Sequence, residues 1–310
     1  MNIKSFIKSI TLLMVFAVAQ TTFAADSDKY VVLNSWEEGV YTLRQECTNS
    51  LIKSVDDKKV DQSESRLIFT WQIDAQSEDA AGVQKFNMKM QRIMVKIRSN
   101  GKELLYFDSS NGKSTSKLLN AVFARMKSSV VTAVFKNGVP VEIQGCDNFW
   151  KDLPNPGDES EQVWFDSIKM LASTSNIKET FDTLTYLDSA KEVRVGDTWK
   201  NQVELPDSLT SLIGVKTLDW TCCLDSVNVV GGTPMANVSG KGQIEFTVKD
   251  NIEGNVRMED EVVYNTSFFF PSDINSTAFI TVSKTVKSED EKHIEKYVGY
   301  TKNKLSVDKH

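Results

Sequence analysis

Apolar and polar residues alternate with a period of two along most of the chain, the mark of strands with one buried face. Leu67, Phe69, Trp71 and Ile73 alternate with Ile68, Thr70, Gln72 and Asp74. Phe86, Met88 and Met90 continue the pattern, after which the apolar phase moves to Ile93, Val95 and Ile97. A one-residue phase shift with no Gly or Pro predicts a β-bulge near Gln91-Arg92. Asn100-Gly101 and Asn137-Gly138 are hairpin turns, since both residue types tolerate the positive φ that matches strand twist. They pair the strand ending near residue 99 with 104–107, and 130–136 with 139–144. Past residue 192 the alternation resumes in 199–205, 220–230, 235–248, 256–270, 277–286 and 293–307. Gly196-Asp197, Gly231-Gly232 and Asp250-Asn251 serve as turns between these strands.

Two stretches carry helical spacing instead. Leu118, Leu119, Val122, Phe123 and Met126 share one face, with Ser116 as N-cap candidate. Trp164, Ile168 and Leu171, then Ile177, Phe181 and Leu184, mark two further helices between residues 159 and 187, read as core packing against a sheet. Pro154-Asn155-Pro156-Gly157-Asp158 is the strongest linker signal. The resulting expectation is an α+β fold of mainly antiparallel sheets in two halves, with a few helices packed on them. The halves are 25–153 and 191–310, joined by a linker and helical segment at 154–190.

Residues 1–24 read as a signal peptide. Lys4 and Lys8 lie in a basic start, residues 10–19 form an apolar run, and Thr22-Phe23-Ala24 puts small residues at a cleavage site after Ala24. The run is about half the ~20 residues that span a bilayer. No Cys lies at the cleavage point to carry a lipid anchor. The expectation is an exported protein, periplasmic or secreted, soluble after the leader is removed and with no transmembrane segment in the mature chain. Without Lys4 and Lys8, 34 basic residues face 42 acidic ones, a net charge of about −8. That balance repels nucleic acid and anionic lipid head groups. The one basic run, Lys89, Arg92, Lys96 and Arg98, reads as a solvated strand face.

Four cysteines, Cys47, Cys146, Cys222 and Cys223, all follow the leader. In an oxidising compartment an even count points to disulfides, with three pairings open. Adjacent Cys222 and Cys223 are ~3.8 Å apart at Cα, below the usual bridge range. Thr42-Leu43-x-x-x-Cys47 matches Thr217-Leu218-x-x-x-Cys222, so Cys47–Cys222 is the first pair to test.

Histidine supply limits catalysis. Only His293 and His310 exist, and His293 in Glu289-Asp290-Glu291-Lys292-His293 reads as an exposed turn rather than the partner of a nucleophile. Zinc-ligand spacing is lacking, neither Asp56-Asp57 nor Asp158-Glu159-x-Glu161 reproduces a calcium loop, and no glycine motif precedes a helix. The reading therefore assigns no catalytic residue, metal or cofactor. Asp260 stands out because it is in phase with apolar Val256, Met258, Val262 and Tyr264, which makes it a candidate buried acid. Phe268-Phe269-Phe270 stands out because consecutive strand residues face opposite sides, so the three cannot share one core face. They are candidate contacts for an apolar ligand.

Tyr41-Thr42-Leu43-Arg44-Gln45, the helix before Val130, the hairpin running to Phe149-Trp150, and Val195-Gly196-Asp197-Thr198-Trp199 together resemble uncharacterised exported bacterial β-rich proteins known as domains of unknown function. No functional residue comes with that resemblance. Three readings stand in order of weight. The first is a non-enzymatic exported binding or interaction protein that meets partners through a sheet face or edge. The second is a periplasmic carrier of a lipid or other apolar ligand, with Met88, Met90, Met94, Met126 and Met170 suiting an adaptable pocket. The third is a carboxylate-dependent hydrolase with Asp260 as the first residue to test. The partner is an unknown protein or apolar small molecule, not nucleic acid.

Overall fold

The computed structural model describes residues 36–111, 116–136, 139–157, 192–204, 214–248, 252–265, 270–287 and 292–310, with scattered positions between 162 and 178 and Thr210. The leader, Asn137-Gly138, Phe268, Phe269, Met170, Trp164, Leu171, Phe181, Leu184 and the turn at Asp250-Asn251 lie outside the described residues. The strands are β1 (Gly39–Val55), β2 (Lys58–Ala75), β3 (Val83–Ser99), β4 (Lys102–Asp108), β5 (Val131–Lys136), β6 (Val139–Gln144), β7 (Thr198–Glu204), β8 (Thr217–Val230), β9 (Thr233–Val248), β10 (Ile252–Asn265), β11 (Phe270–Lys287) and β12 (Lys292–Lys309).

All of them belong to one antiparallel sheet in the order β6-β5-β3-β2-β1-β12-β11-β10-β9-β8-β7, with β4 pairing the far half of β3. This corrects the α+β expectation. The fold is nearly all β. Among the described residues, the helical structure is α1 (Lys117–Ser128), a short 3₁₀ turn at Cys146–Trp150, and scattered helical positions between 162 and 210. The physical reason is the β1–β12 ladder. It runs from Tyr41 opposite Lys309 to Val55 opposite Glu295, so it zips a meander of β1–β6 to a meander of β7–β12 in one sheet. None of the described helices is long and apolar enough to cross a membrane.

The phase shift in β3 is a bulge at Gln91, since Thr70 faces Arg92 while Trp71 faces Met90. Beside it, Arg92 grips Asp108 at the end of β4 through Nε to Oδ1 (3.1 Å) and a second guanidinium nitrogen to Oδ2 (2.6 Å). Ser110 adds its backbone N–H and hydroxyl to Oδ1, which fixes the chain as it leaves β4. The turns follow from residues that accept positive φ: Asn100-Gly101 between β3 and β4, Gly231-Gly232 between β8 and β9, and Asp56-Asp57 between β1 and β2.

Tyr41, Leu43, Leu67, Phe69, Trp71, Ile73, Phe86, Met88, Met90, Ile93 and Val95 turn to one face, the inner one, and enter a single core with Trp220, Leu224, Val238, Ile244, Val256, Val262, Ile274 and Ile280. Helix α1 lies on this face over β3 and β4. Ser116 Oγ caps it by accepting from Leu119 N (3.2 Å), and the Phe123 ring stacks on Phe107 with centroids 4.0 Å apart. Ile168, Ala172 and Ile177, from the segment between the meanders, are buried in the same core.

Candidate functional site

The inner face is apolar over β2 and β3 but not at the centre of the sheet. The strand registers put Asp260 of β10, Ser276 of β11, Asn303 of β12 and Cys47 of β1 side by side in one row. The next row runs Met258, Ala278, Thr301, Asn49 and Ser65, and on the other side lie Val262, Ile274, Leu305, Gln45 and Phe69. A polar band of Gln45, Asn49, Asp260, Ser276, Thr301 and Asn303 thus crosses four strands, and each member is at most 9% exposed. Native interiors place such groups only where they find hydrogen-bond partners or serve a purpose.

Asn49 is the hub. Its Oδ1 accepts from Thr301 Oγ1 (2.7 Å) and from the Cys47 thiol (3.6 Å), while its Nδ2 donates to Ser65 Oγ (3.1 Å). Burial pushes the Cys47 thiol up to about 12, so Cys47 stays a protonated donor and is no nucleophile near neutral pH. Gln45 differs from its neighbour. Its Nε2 is buried and meets no hydrogen-bond acceptor among the described residues. Directly opposite it stand Leu305 and Phe69. A lone unmatched amide N–H in such surroundings costs about 1–3 kcal/mol.

The ends of the β1–β12 ladder are closed by charged groups on the same face. Lys53 pairs with Glu295 and lies 5.5 Å from the Tyr297 ring centroid, and Lys309 pairs with Glu37 and lies 5.7 Å from that of Tyr41. Both ammonium groups are therefore already engaged, about four residues from Asn49 and Gln45 respectively, or ~13 Å along a strand.

Asp260 is 2% exposed and part of the band. Its inner-face neighbours in register are Ser276 and Gly240, with Met258 and Val262 along its own strand, and none of these is a second carboxylate. The histidines are remote. His293 belongs to β12 rather than to an exposed turn, with Nδ1 3.8 Å from Asp56 Oδ2, and His310 Nε2 meets Thr42 Oγ1 at 2.7 Å. At ~3.3 Å per strand residue they lie about 30 Å and 20 Å from Asn303 along the strand. Asp56 itself closes a hairpin, accepting from Ile294 N at 2.9 Å. Of the phenylalanine run only the backbone of Phe270 is described, paired with Asn265. Met88, Met90, Met94 and Met126 are all buried. Among the described residues no group of three His, Cys, Asp or Glu side chains could hold a metal ion.

No disulfide joins any of the four cysteines in this structure. Cys47 and Cys222 lie on β1 and β8, with β12, β11, β10 and β9 between them in the sheet. Cys222 is buried, whereas Cys223 on the opposite face is half-exposed. Burial and the Asp225 carboxylate raise the Cys223 pKa. An aromatic disulfide reagent added to the native protein should therefore titrate one thiol, slowly at pH 7 and faster at pH 9, and four in denaturant. Fewer than four in denaturant would reveal a bridge.

The alternation of β1 and β12 is masked by this band, so apolar periodicity finds neither Gln45 nor Asn49. The signal available in sequence was Asp260, a charge in an apolar phase.

A family model for a family of unknown function, DUF6263, matches residues 81–267. The chain belongs to that family. The DUF6263 match runs from the approach to β3 through β10, so it takes in Asp260 but not Gln45, Cys47, Asn49, Thr301 or Asn303. No curated protein matches the chain. Among solved structures it is similar to lipovitellin, in a structure titled for lipid–protein interactions, with 9% identity and a TM-score of 0.45 over 88% of this chain and 25% of that one. The chain thus spans about a quarter of the lipovitellin chain. It is also similar to an outer membrane channel from Pseudomonas putida F1, with 8% identity and a TM-score of 0.23 over 89% and 97% of the two chains. A third, the transport unit of the autotransporter AIDA-I from Escherichia coli, has 9% identity and a TM-score of 0.21 over 97% and 98%. These likenesses carry no weight for the function of this DUF6263 chain.

Proposed function

We propose that this DUF6263 protein is an exported, non-enzymatic binding protein that receives an apolar ligand on the inner face of its sheet, at the polar band between β10 and β1. The observation that carries the reading is the buried Gln45 amide, unmatched among the described residues and flanked in register by Leu305 and Phe69. A ligand with an apolar body and one acceptor atom would extend the core and satisfy that N–H together. The leader read in residues 1–24 supports export. The protonated Cys47 thiol and the distant histidines favour binding over chemistry.

Native mass spectrometry of protein purified from a host that exports it tests this. The expected spectrum shows an added mass that organic extraction removes, and the extracted protein takes up a fluorescent fatty acid. A clean apo mass with no uptake would contradict it. That outcome would favour a second reading, a protein partner on the outer face, where Phe279 and Tyr300 stand opposite each other on β11 and β12, exposed beside Val298.

A further inference from the structure

The surroundings of Gln45 also limit what the ligand's acceptor can be. Its register neighbours are Leu305 and Phe69, and Leu43 and Cys47 lie two positions away on its own strand. None carries positive charge, and the two lysines of the same ladder are held by Glu37 and Glu295 at its far ends. A phosphate or carboxylate brought against Gln45 would be a buried anion without a counter-charge, which costs several kcal/mol. A neutral carbonyl bears no such penalty. The hub Asn49 has both side-chain ends engaged, whereas Gln45 Nε2 is a buried donor without an acceptor among the described residues.

Resting on the binding function proposed above, we infer that the ligand is a fatty-acyl ester, with apolar chains along the β1–β2 and β12–β11 inner faces and its ester carbonyl accepting from Gln45 Nε2. Charged head-group chemistry then falls outside the band. The inner-face side chains around Gln45, among them Leu43, Phe69, Ile274 and Leu305, are buried, so the ligand takes its place by displacing their present packing.

A neutral fluorescent diacylglycerol and its dialkyl-ether counterpart, which keeps both chains but lacks both carbonyls, make the test. The wild-type protein should bind the ester about 10-fold more tightly, the yield of one hydrogen bond to an otherwise unmatched donor. Gln45→Leu, similar in volume and apolar, should bind the two alike and keep or improve its hold on the ether. Equal wild-type affinities would overturn the carbonyl assignment and leave the binding function standing. The same holds for an ester preference that survives Gln45→Leu. Binding of neither probe by the wild-type protein would overturn both. The wild-type comparison needs no variant, so it decides even if Gln45→Leu folds poorly.

Discussion

Gly242→Val should destabilise the protein by about 2–3 kcal/mol, a loss of roughly 4–10 °C in thermal midpoint for a chain of this size. Gly242 on β9 stands directly opposite Trp220 on β8, and the indole, 1% exposed, lies over it. A Cβ at Gly242 would fall 2.5 Å from Trp220 Cε3 and 2.7 Å from Cζ3, and 3.0 Å from Leu218 Cδ2. A fully buried indole cannot swing away into solvent, so the substitution must displace the ring or bend the strand. The cause is the ring and not the backbone, and a double-mutant cycle shows this. In a Trp220→Leu background, itself destabilised by lost packing, Gly242→Ala should cost far less than in the wild type, because the side chain it collides with is gone. Urea unfolding of the four proteins gives the coupling. Strictly additive effects would refute the close approach.

The second large effect is at the bulge. Arg92→Met should lower stability near pH 7 by about 2 kcal/mol, below the usual range for a broken buried pair because Arg92 is 42% exposed while the Asp108 side chain is 5% exposed. The arginine holds the Asp108 carboxyl well below the ordinary carboxylate range, with Ser110 assisting. A carboxyl depressed in the folded state contributes stability that is fully present above its unfolded value, ~4, and is lost as the pH falls toward the folded value. The wild type therefore loses this contribution below about pH 4. In Arg92→Met the carboxyl titrates closer to its unfolded value, so that variant has less to lose. The gap between the two urea midpoints should be wide at pH 7 and narrow at pH 3. A gap that is constant with pH would mean that the arginine acts through packing alone.

The bulge sits where the sequence is easiest to read. Strands β2 and β3 show their alternation because every inward position from Leu67 to Ile73 and from Phe86 to Val95 is apolar, and the slip at Gln91 appears as a change of phase. Asn100-Gly101 and Gly231-Gly232 announce their turns because few other residues accept such φ. The helix face at Leu118, Val122 and Met126 is legible for the same reason, although a helix over one end of a sheet makes no α+β fold.

What stays hidden is the middle. The inward positions of β1 run Tyr41, Leu43, Gln45, Cys47, Asn49, and those of β12 run Thr301, Asn303, Leu305, so the alternation breaks where the two strands meet. Their pairing joins residues some 250 positions apart in sequence, a contact no local pattern encodes. The residues that hide the ladder are the ones that form the candidate site. Asp260 alone could be singled out, because its neighbours in phase are apolar while it is charged.

Photo-crosslinking decides the central claim most directly. A diacylglycerol bearing a diazirine on one acyl chain would be bound, irradiated and mapped by peptide mass spectrometry. The account predicts adducts on inner-face residues around Gln45, namely Leu43, Phe69, Ile274 and Leu305. Adducts confined to outer-face residues such as Phe279, Val298 and Tyr300, or spread without preference between the two faces, would contradict it.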